Sequence, residues 1–285
     1  MGWAHYLRGT LPPAAAFDGL GGLTNITFTD HVSRGIQGPL PADWSTLTPL
    51  QSIYLSLDAF GSIGSIPASW GSLKQLKWLY IWATFKGPIP ASFASLTSLE
   101  ELAVGGSVPG PIPDLSPLTN LRELVLRGNF GGPIPTWLLK LKKLEVLDLF
   151  NGGFTGSIPA SIADLGKLRE LNLAYGEINR WAPLKSSDQY SQLSGTLPDA
   201  FKALTALQEL HLSDQDLVGT VPASWSGMTS LKKVYLFGNG KLEGCLPASW
   251  EAQLTGLLRE GDNRTCTYAD VEKWAMQCTK IQGFC

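Results

Sequence analysis

The stretch Leu121-Arg122-Glu123-Leu124-Val125-Leu126-Arg127-Gly128-Asn129-Phe130-Gly131-Gly132-Pro133-Ile134-Pro135 decides the fold. Its first half alternates. Leu124 and Leu126 point one way, and Glu123, Val125 and Arg127 the other, which is the period of a short half-buried strand. Its second half ends on Gly-x-aliphatic-Pro, where the glycine permits a tight bend and the proline fixes φ. That signature occurs ten times, starting at Gly9, Gly38, Gly64, Gly87, Gly110, Gly132, Gly156, Gly195, Gly219 and Gly244. Its prolines recur every 22 to 29 residues, apart from one interval of 39 between Pro159 and Pro198. A period near 24 residues means one small unit stacked many times, each burying its apolar side against its neighbours. The alternation returns at 76–82, 99–105, 144–150, 168–174, 207–213 and 231–237. Strands that recur in the same sense predict one parallel sheet along the stack, at a spacing of about 4.8 Å.

Composition agrees with a long buried core. Hydrophobic residues make up 44% of the chain and charged ones 16%, which excludes intrinsic disorder. A net charge of -2 carries no electrostatic footprint for nucleic acid or an anionic membrane. No apolar run approaches the ~20 residues of a spanning helix. Met1-Gly2-Trp3-Ala4-His5-Tyr6 has neither the basic nor the apolar region of a signal peptide. Leu7 to Pro12 reads as the back half of a unit whose front half is absent. The expectation is a missing N-terminal cap and a longer natural protein.

The third residue after the ladder proline is aromatic in many units: Trp44, Trp70, Phe93, Phe201, Trp225 and Trp250. An aromatic at a fixed repeat phase predicts packing between coils, so most of the ten tryptophans belong to the core.

The pattern Leu-x-x-Leu-x-Leu followed by Leu/Phe-x-Gly-x-Ile-Pro resembles the plant-type leucine-rich repeat over nearly the whole chain. Val221-Pro222-Ala223-Ser224-Trp225-Ser226-Gly227-Met228-Thr229-Ser230-Leu231 is similar to the repeats of kinetoplastid surface antigens and proteophosphoglycans, and Gly244-Cys245-Leu246-Pro247-Ala248-Ser249-Trp250 to their Cys-containing last repeat. Plant receptor ectodomains and polygalacturonase-inhibiting proteins share the broader motif. The resemblance implies an α/β solenoid of about ten coils. A parallel sheet would line its concave face and irregular or 3-10 segments its convex side. It further implies extracellular recognition or adhesion without catalysis. The plant-type unit places an Asn shortly after the strand, bonded to the backbone of neighbouring coils. Here only Asn129 and Asn239 match, and Asp58, Thr84, Ser107, Gly152, Gly176 or Gln215 stand elsewhere, so a less regular ladder is expected.

The solenoid is expected over 1–244, and the last repeat with a Cys-rich cap over 245–285. Cys245, Cys266, Cys278 and Cys285 form an even set at one end, which reads as a two-disulfide cap with three allowed pairings. Zinc is the alternative, but the set has no Cys-x-x-Cys pair and no nearby His. The sequons at Asn25 and Asn263 fit the same oxidising compartment, extracellular or cell-surface.

Alignment by phase makes three outward columns. Trp78, Tyr80 and Trp82 point out of one strand with Tyr54 on the strand before, a surface suited to sugar rings or apolar peptide side chains. The alternative is a patch covered by a missing N-terminal region or by a glycan on Asn25. Glu101, Glu123, Asp148, Glu170 and Glu209 form an acidic band with Arg127 inside it; it reads as a solvated face, a site for a basic ligand, or a row offset by Arg122 and Arg169. Phe150 and His211 complete the expected ligand face. The long interval holds an insertion over about 176–193, whose Arg180 and Trp181 are candidate contacts. His5, His31 and His211 fall in separate coils and build no triad, so no catalytic residue, cofactor or metal is expected. The expected function is capture of a protein, peptide or glycan. The rival is a structural surface-coat or filament subunit that self-associates through its ends.

Overall fold

The computed structural model describes residues 9–20, 22–30, 36, 38–57, 63–175, 192–254 and 280–284. The chain divides into two compact units, Met1–Phe130 and Gly131–Cys285.

In the N-terminal unit, β1 (Asn25–Asp30), β2 (Ser52–Leu57), β3 (Trp78–Thr84), β4 (Glu101–Ser107) and β5 (Glu123–Leu126) pair in chain order, all parallel. The C-terminal unit holds β6 (Val146–Asp148), β7 (Gly156–Ser157), β8 (Glu170–Asn172), β9 (Leu193–Thr196), β10 (Glu209–His211), β11 (Asp216–Thr220), β12 (Lys233–Tyr235), β13 (Lys241–Leu246) and β14 (Lys280–Phe284). There β6, β8, β10 and β12 form a parallel ladder of their own. A second parallel sheet runs β7-β9-β11-β13-β14. Periodicity does not reveal this second sheet. Gly195, Gly219 and Gly244 interrupt its strands at φ between +84° and +88°. A left-handed glycine inside a strand breaks the alternation that marks strands in a sequence.

Seven of the ladder prolines open a 3-10 turn, while Pro113 does not. In the N-terminal unit 3-10 turns span Ala42–Thr46, Ala68–Ser72 and Ala91–Ser95. In the C-terminal unit they span Thr136–Lys140, Ala160–Asp164, Asp199–Ala203 and Ala223–Gly227. The proline before each sits at φ between -60° and -68°, the value its ring imposes, and its missing N–H is not needed there.

The aromatic phase is core. Trp44, Trp70, Phe93, Phe201, Trp225 and Trp250 are all 0% exposed. Trp44 and Trp70 stack at 5.5 Å between centroids and 6° between planes. A buried indole needs a partner for its N–H. Trp44, Trp70 and Trp225 donate to the carbonyls of Pro12, Pro41 and Pro198 at 2.9, 2.9 and 3.0 Å. The ladder proline therefore serves twice: its ring starts one turn, and its carbonyl receives the tryptophan of the next coil.

The polar ladder after the strands is irregular, as its residue types suggest, but two of its positions make the same pair of bonds. Asn239, fully buried, donates to Leu212 O at 2.8 Å and accepts from Leu217 N–H at 3.2 Å. Gln215 repeats this one coil earlier, donating to Leu173 O at 2.8 Å and accepting from Leu193 N–H at 2.7 Å. Its extra methylene keeps the same two-sided amide in place of Asn. At Gly152 an aromatic ring takes the space, for a Cβ there would meet Phe154 at 2.2 Å. Asn129, by contrast, is exposed. Asp58 and Gly176 lie outside the described residues. Cys245 is disulfide-bonded, and Cys266, Cys278 and Cys285 lie outside the described residues.

Candidate functional site

Strand alternation puts one set of side chains inside and the other on the outward face. In the N-terminal unit Ile53, Leu55, Leu79, Ile81, Leu102, Val104, Leu124 and Leu126 are buried. Their neighbours fall into register across the sheet: Ser52 on Trp78 on Glu101 on Glu123, Tyr54 on Tyr80 on Ala103 on Val125, and Ser56 on Trp82 on Gly105. Arg127 follows β5, its N–H bonded to Val104 O at 3.0 Å.

The aromatic side chains lie down rather than stand free. Tyr54 is 40% exposed, while Trp78, Tyr80 and Trp82 are half-buried. Tyr54 and Tyr80 form a tilted pair at 5.6 Å. The Tyr80 hydroxyl donates to the Glu101 carboxylate on the adjacent strand. Trp82 lies over Gly105: a Cβ on that glycine would come within 2.6 Å of the indole. Arg127 holds its guanidinium 5.6 Å from the Trp82 ring, and Lys77 its ammonium 5.6 Å from Trp78, both within cation–π range. The result is an aromatic floor held by lateral contacts. Gly105 is the residue that sequence reasoning passed over. Its signal was the loss of a side chain beside a tryptophan column.

In the C-terminal unit the outward register runs Val146 on Glu170 on Glu209 on Lys233, and Asp148 on Asn172 on His211 on Tyr235. These carboxylates are individually partnered. Asp148 is 3% exposed and accepts from Phe150 N–H at 2.9 Å. Glu209 pairs with Lys233 at 2.7 Å. Burial pushes the Glu209 carboxyl up, but the hydrogen bonds and charges of Lys233 and His211 outweigh it and hold it below its usual range. The Glu209 carboxylate raises Lys233 in return. His211 stacks on Tyr235 at 4.4 Å and lies 3.4 Å from Glu209. Burial lowers its pKa, partly offset by Glu209 and Asp148. Arg169 pairs with Glu145 at 3.6 Å rather than with the outward carboxylates, because the strand alternation turns both away. Ser213 is buried at 2%. Arg180, Trp181 and Asn263 lie outside the described residues. Leu173 and Leu193 are joined through Gln215, and a small cavity lined by Leu149, Phe154, Leu173, Tyr175 and Leu193 sits against it. Among the described residues no group of His, Cys, Asp or Glu could hold a metal ion, and no helix is long and apolar enough to cross a membrane.

No protein-family model and no curated protein matches the sequence. Solved structures do match. A TDR receptor is 28% identical, with a TM-score of 0.71 over 87% of this chain and 44% of its own. The leucine-rich-repeat ectodomain of the Arabidopsis receptor kinase HAESA, bound to an N-terminally extended IDA peptide hormone, is 31% identical. Its TM-score is 0.61 over 77% of this chain and 39% of its own. The chain has the leucine-rich-repeat fold. A leucine-rich-repeat protein of Leptospira interrogans, 22% identical with a TM-score of 0.54, shares that fold alone. The chain spans less than half the length of the two receptor structures.

Proposed function

We propose that this leucine-rich-repeat chain is a non-catalytic recognition module, extracellular or at the cell surface, that takes a protein or peptide segment on the outward strand face of its N-terminal unit. The observation that carries the reading is the aromatic floor of Tyr54, Trp78, Tyr80 and Trp82, beside Glu101, Glu123 and Arg127. Large, rigid rings held by their neighbours bury area on binding at little cost in side-chain entropy, which is the character of interface hot spots. Receptor ectodomains crystallised with peptide hormones are similar to this chain in fold, which favours a peptide over a glycan. In the C-terminal unit Phe150, Glu170 and His211 are read as a flanking surface, with Asp148 buried beneath it rather than available for contact, and Arg180 and Trp181 as contacts from the insertion. Adhesion, a cap built from Cys245, Cys266, Cys278 and Cys285, glycosylation of Asn263, a count of about ten coils and the narrower kinship with kinetoplastid surface antigens belong to the same reading.

A displayed library of random peptides, panned on the immobilised chain, tests it. Peptides enriched on the native chain should bind the Trp78→Ala/Trp82→Ala chain about tenfold or more weakly. Equal affinity for both chains, with equal urea midpoints, removes the floor from the function. Concentration-dependent sedimentation that survives both substitutions supports a coat or filament subunit instead.

A further inference from the structure

Asn25 and Thr27 stand exposed on the outward face of β1, on either side of Ile26, which is 3% exposed. The Asn25 side-chain amide donates to Thr24 Oγ1 at 3.1 Å at the surface. Pairing carries Asn25 onto Ser52 and then Trp78, and Thr27 onto Tyr54 and then Tyr80. Tyr54 is one of two large apolar side chains that stand exposed among the described residues, the other being Leu20. An acceptor sequence for N-glycosylation and an uncovered aromatic ring therefore share one face, one strand apart.

We propose that Asn25 carries an N-linked glycan whose first sugars cross β2, stack on the Tyr54 ring and form one border of the aromatic floor. In the transfer, Asn25 Nδ2 forms a bond to C1 of the first N-acetylglucosamine of a lipid-linked oligosaccharide pyrophosphate. The bond from C1 to the pyrophosphate oxygen breaks, and the lipid pyrophosphate leaves with the electron pair. One amide proton passes to a base of the transferase. Thr27 supplies the hydroxyl that the acceptor motif requires two residues on.

The surface around Asn25 suits a sugar chain attached there. One strand spacing, about 4.8 Å, separates β1 from the column of Tyr54, and two separate it from Tyr80 and Trp78. Ser52, small and half-buried, leaves the surface between Asn25 and Trp78 low. A pyranose presents an apolar face of C–H groups, and Tyr54 offers a ring face of matching size. The glycan would confine a peptide ligand to the side of Trp82, Gly105 and Arg127. The proposal rests on the extracellular reading above, since the transfer takes place in the secretory pathway.

The test uses the full chain secreted from eukaryotic cells. Peptide mapping by mass spectrometry reads occupancy at Asn25, and hydroxyl-radical footprinting reads the accessibility of Tyr54. Occupied Asn25 is expected, with Tyr54 oxidised about threefold more slowly than in the Asn25→Gln chain. Thr27→Ala should match Asn25→Gln. Enzymatic removal of the glycan from the folded native chain should raise the Tyr54 rate to the same level, so a folding defect in either variant does not decide the result. An unoccupied Asn25 in the secreted, folded chain overturns the proposal. So does an occupied Asn25 with an unchanged Tyr54 rate. Peptide binding by Trp82, measured in the Asn25→Gln chain, separates failure of this proposal from failure of the recognition reading.

Discussion

Replacing Gln215 by Leu should be among the most damaging single polar substitutions in the C-terminal unit. Gln215 is 6% exposed, and its amide donates to Leu173 O at 2.8 Å and accepts from Leu193 N–H at 2.7 Å. Leucine fills a similar volume, so packing is nearly conserved while both hydrogen bonds disappear. Each buried backbone group left without a partner costs about 1–3 kcal/mol, and two of them about 2–6 kcal/mol. The loss also has a place. Leu173 and Leu193 flank the long insertion, so its two ends lose the residue that joins them. Urea unfolding followed by tryptophan fluorescence measures the total, and hydrogen exchange at the Leu193 amide measures the local part. Lys241→Ala is the control, since it breaks an exposed pair with Asp216 and should cost about 0–1 kcal/mol. Gln215→Leu within about 0.5 kcal/mol of the native chain, with Leu193 still protected, would refute the idea that a glutamine stands in for the ladder asparagine.

Three further outcomes are expected. Trp70→Phe should lower stability by about 1–3 kcal/mol in urea titration, because the Pro41 carbonyl loses its 2.9 Å donor, and Trp70→Ala by about 3–5 kcal/mol. Gly105→Val should lift Trp82 off β4, since a Cβ there would meet the indole at 2.6 Å where ordinary contact begins at 3.4 Å. Acrylamide quenching of Trp82, read as the difference from the Trp82→Phe chain, should rise. His211 should titrate below the ordinary histidine range in a proton NMR titration, because burial disfavours its charged form. The unfolded chain then takes up that proton first as pH falls through about 6.5, so the contribution of His211 to stability is complete above that pH and is lost toward its lowered folded value. Glu209, also lowered, adds a second loss with the same sign as pH falls below about 4.3.

Much of the fold was legible because a repeat states the same fact many times. The Gly-x-aliphatic-Pro ladder, the Leu alternation and the aromatic phase each recur, so chance variation in one unit does not hide them. The column register followed from phase alone, and the strand pairs match it from Asn25 to Tyr235 within each unit. The polar ladder was harder to see. Gln215 does not look like Asn in a motif, although a longer side chain ending in the same amide makes the same two bonds. The second sheet was hidden because backbone pairing depends on what lies one coil away, and its own residues hold a glycine at positive φ.

The sequence by itself determined the period, the parallel strands, the buried tryptophans and the register of the outward columns, since these depend on local spacing repeated along the chain, though Asp148 and Ser213 in those columns are buried. Only the tertiary structure decided how the outward residues treat one another. Tyr80 turns to Glu101, Trp82 lies on the space that Gly105 leaves, and Glu209 is held by Lys233. Those outcomes depend on side chains from different coils meeting at a few ångströms, a distance the order of residues along one chain does not encode.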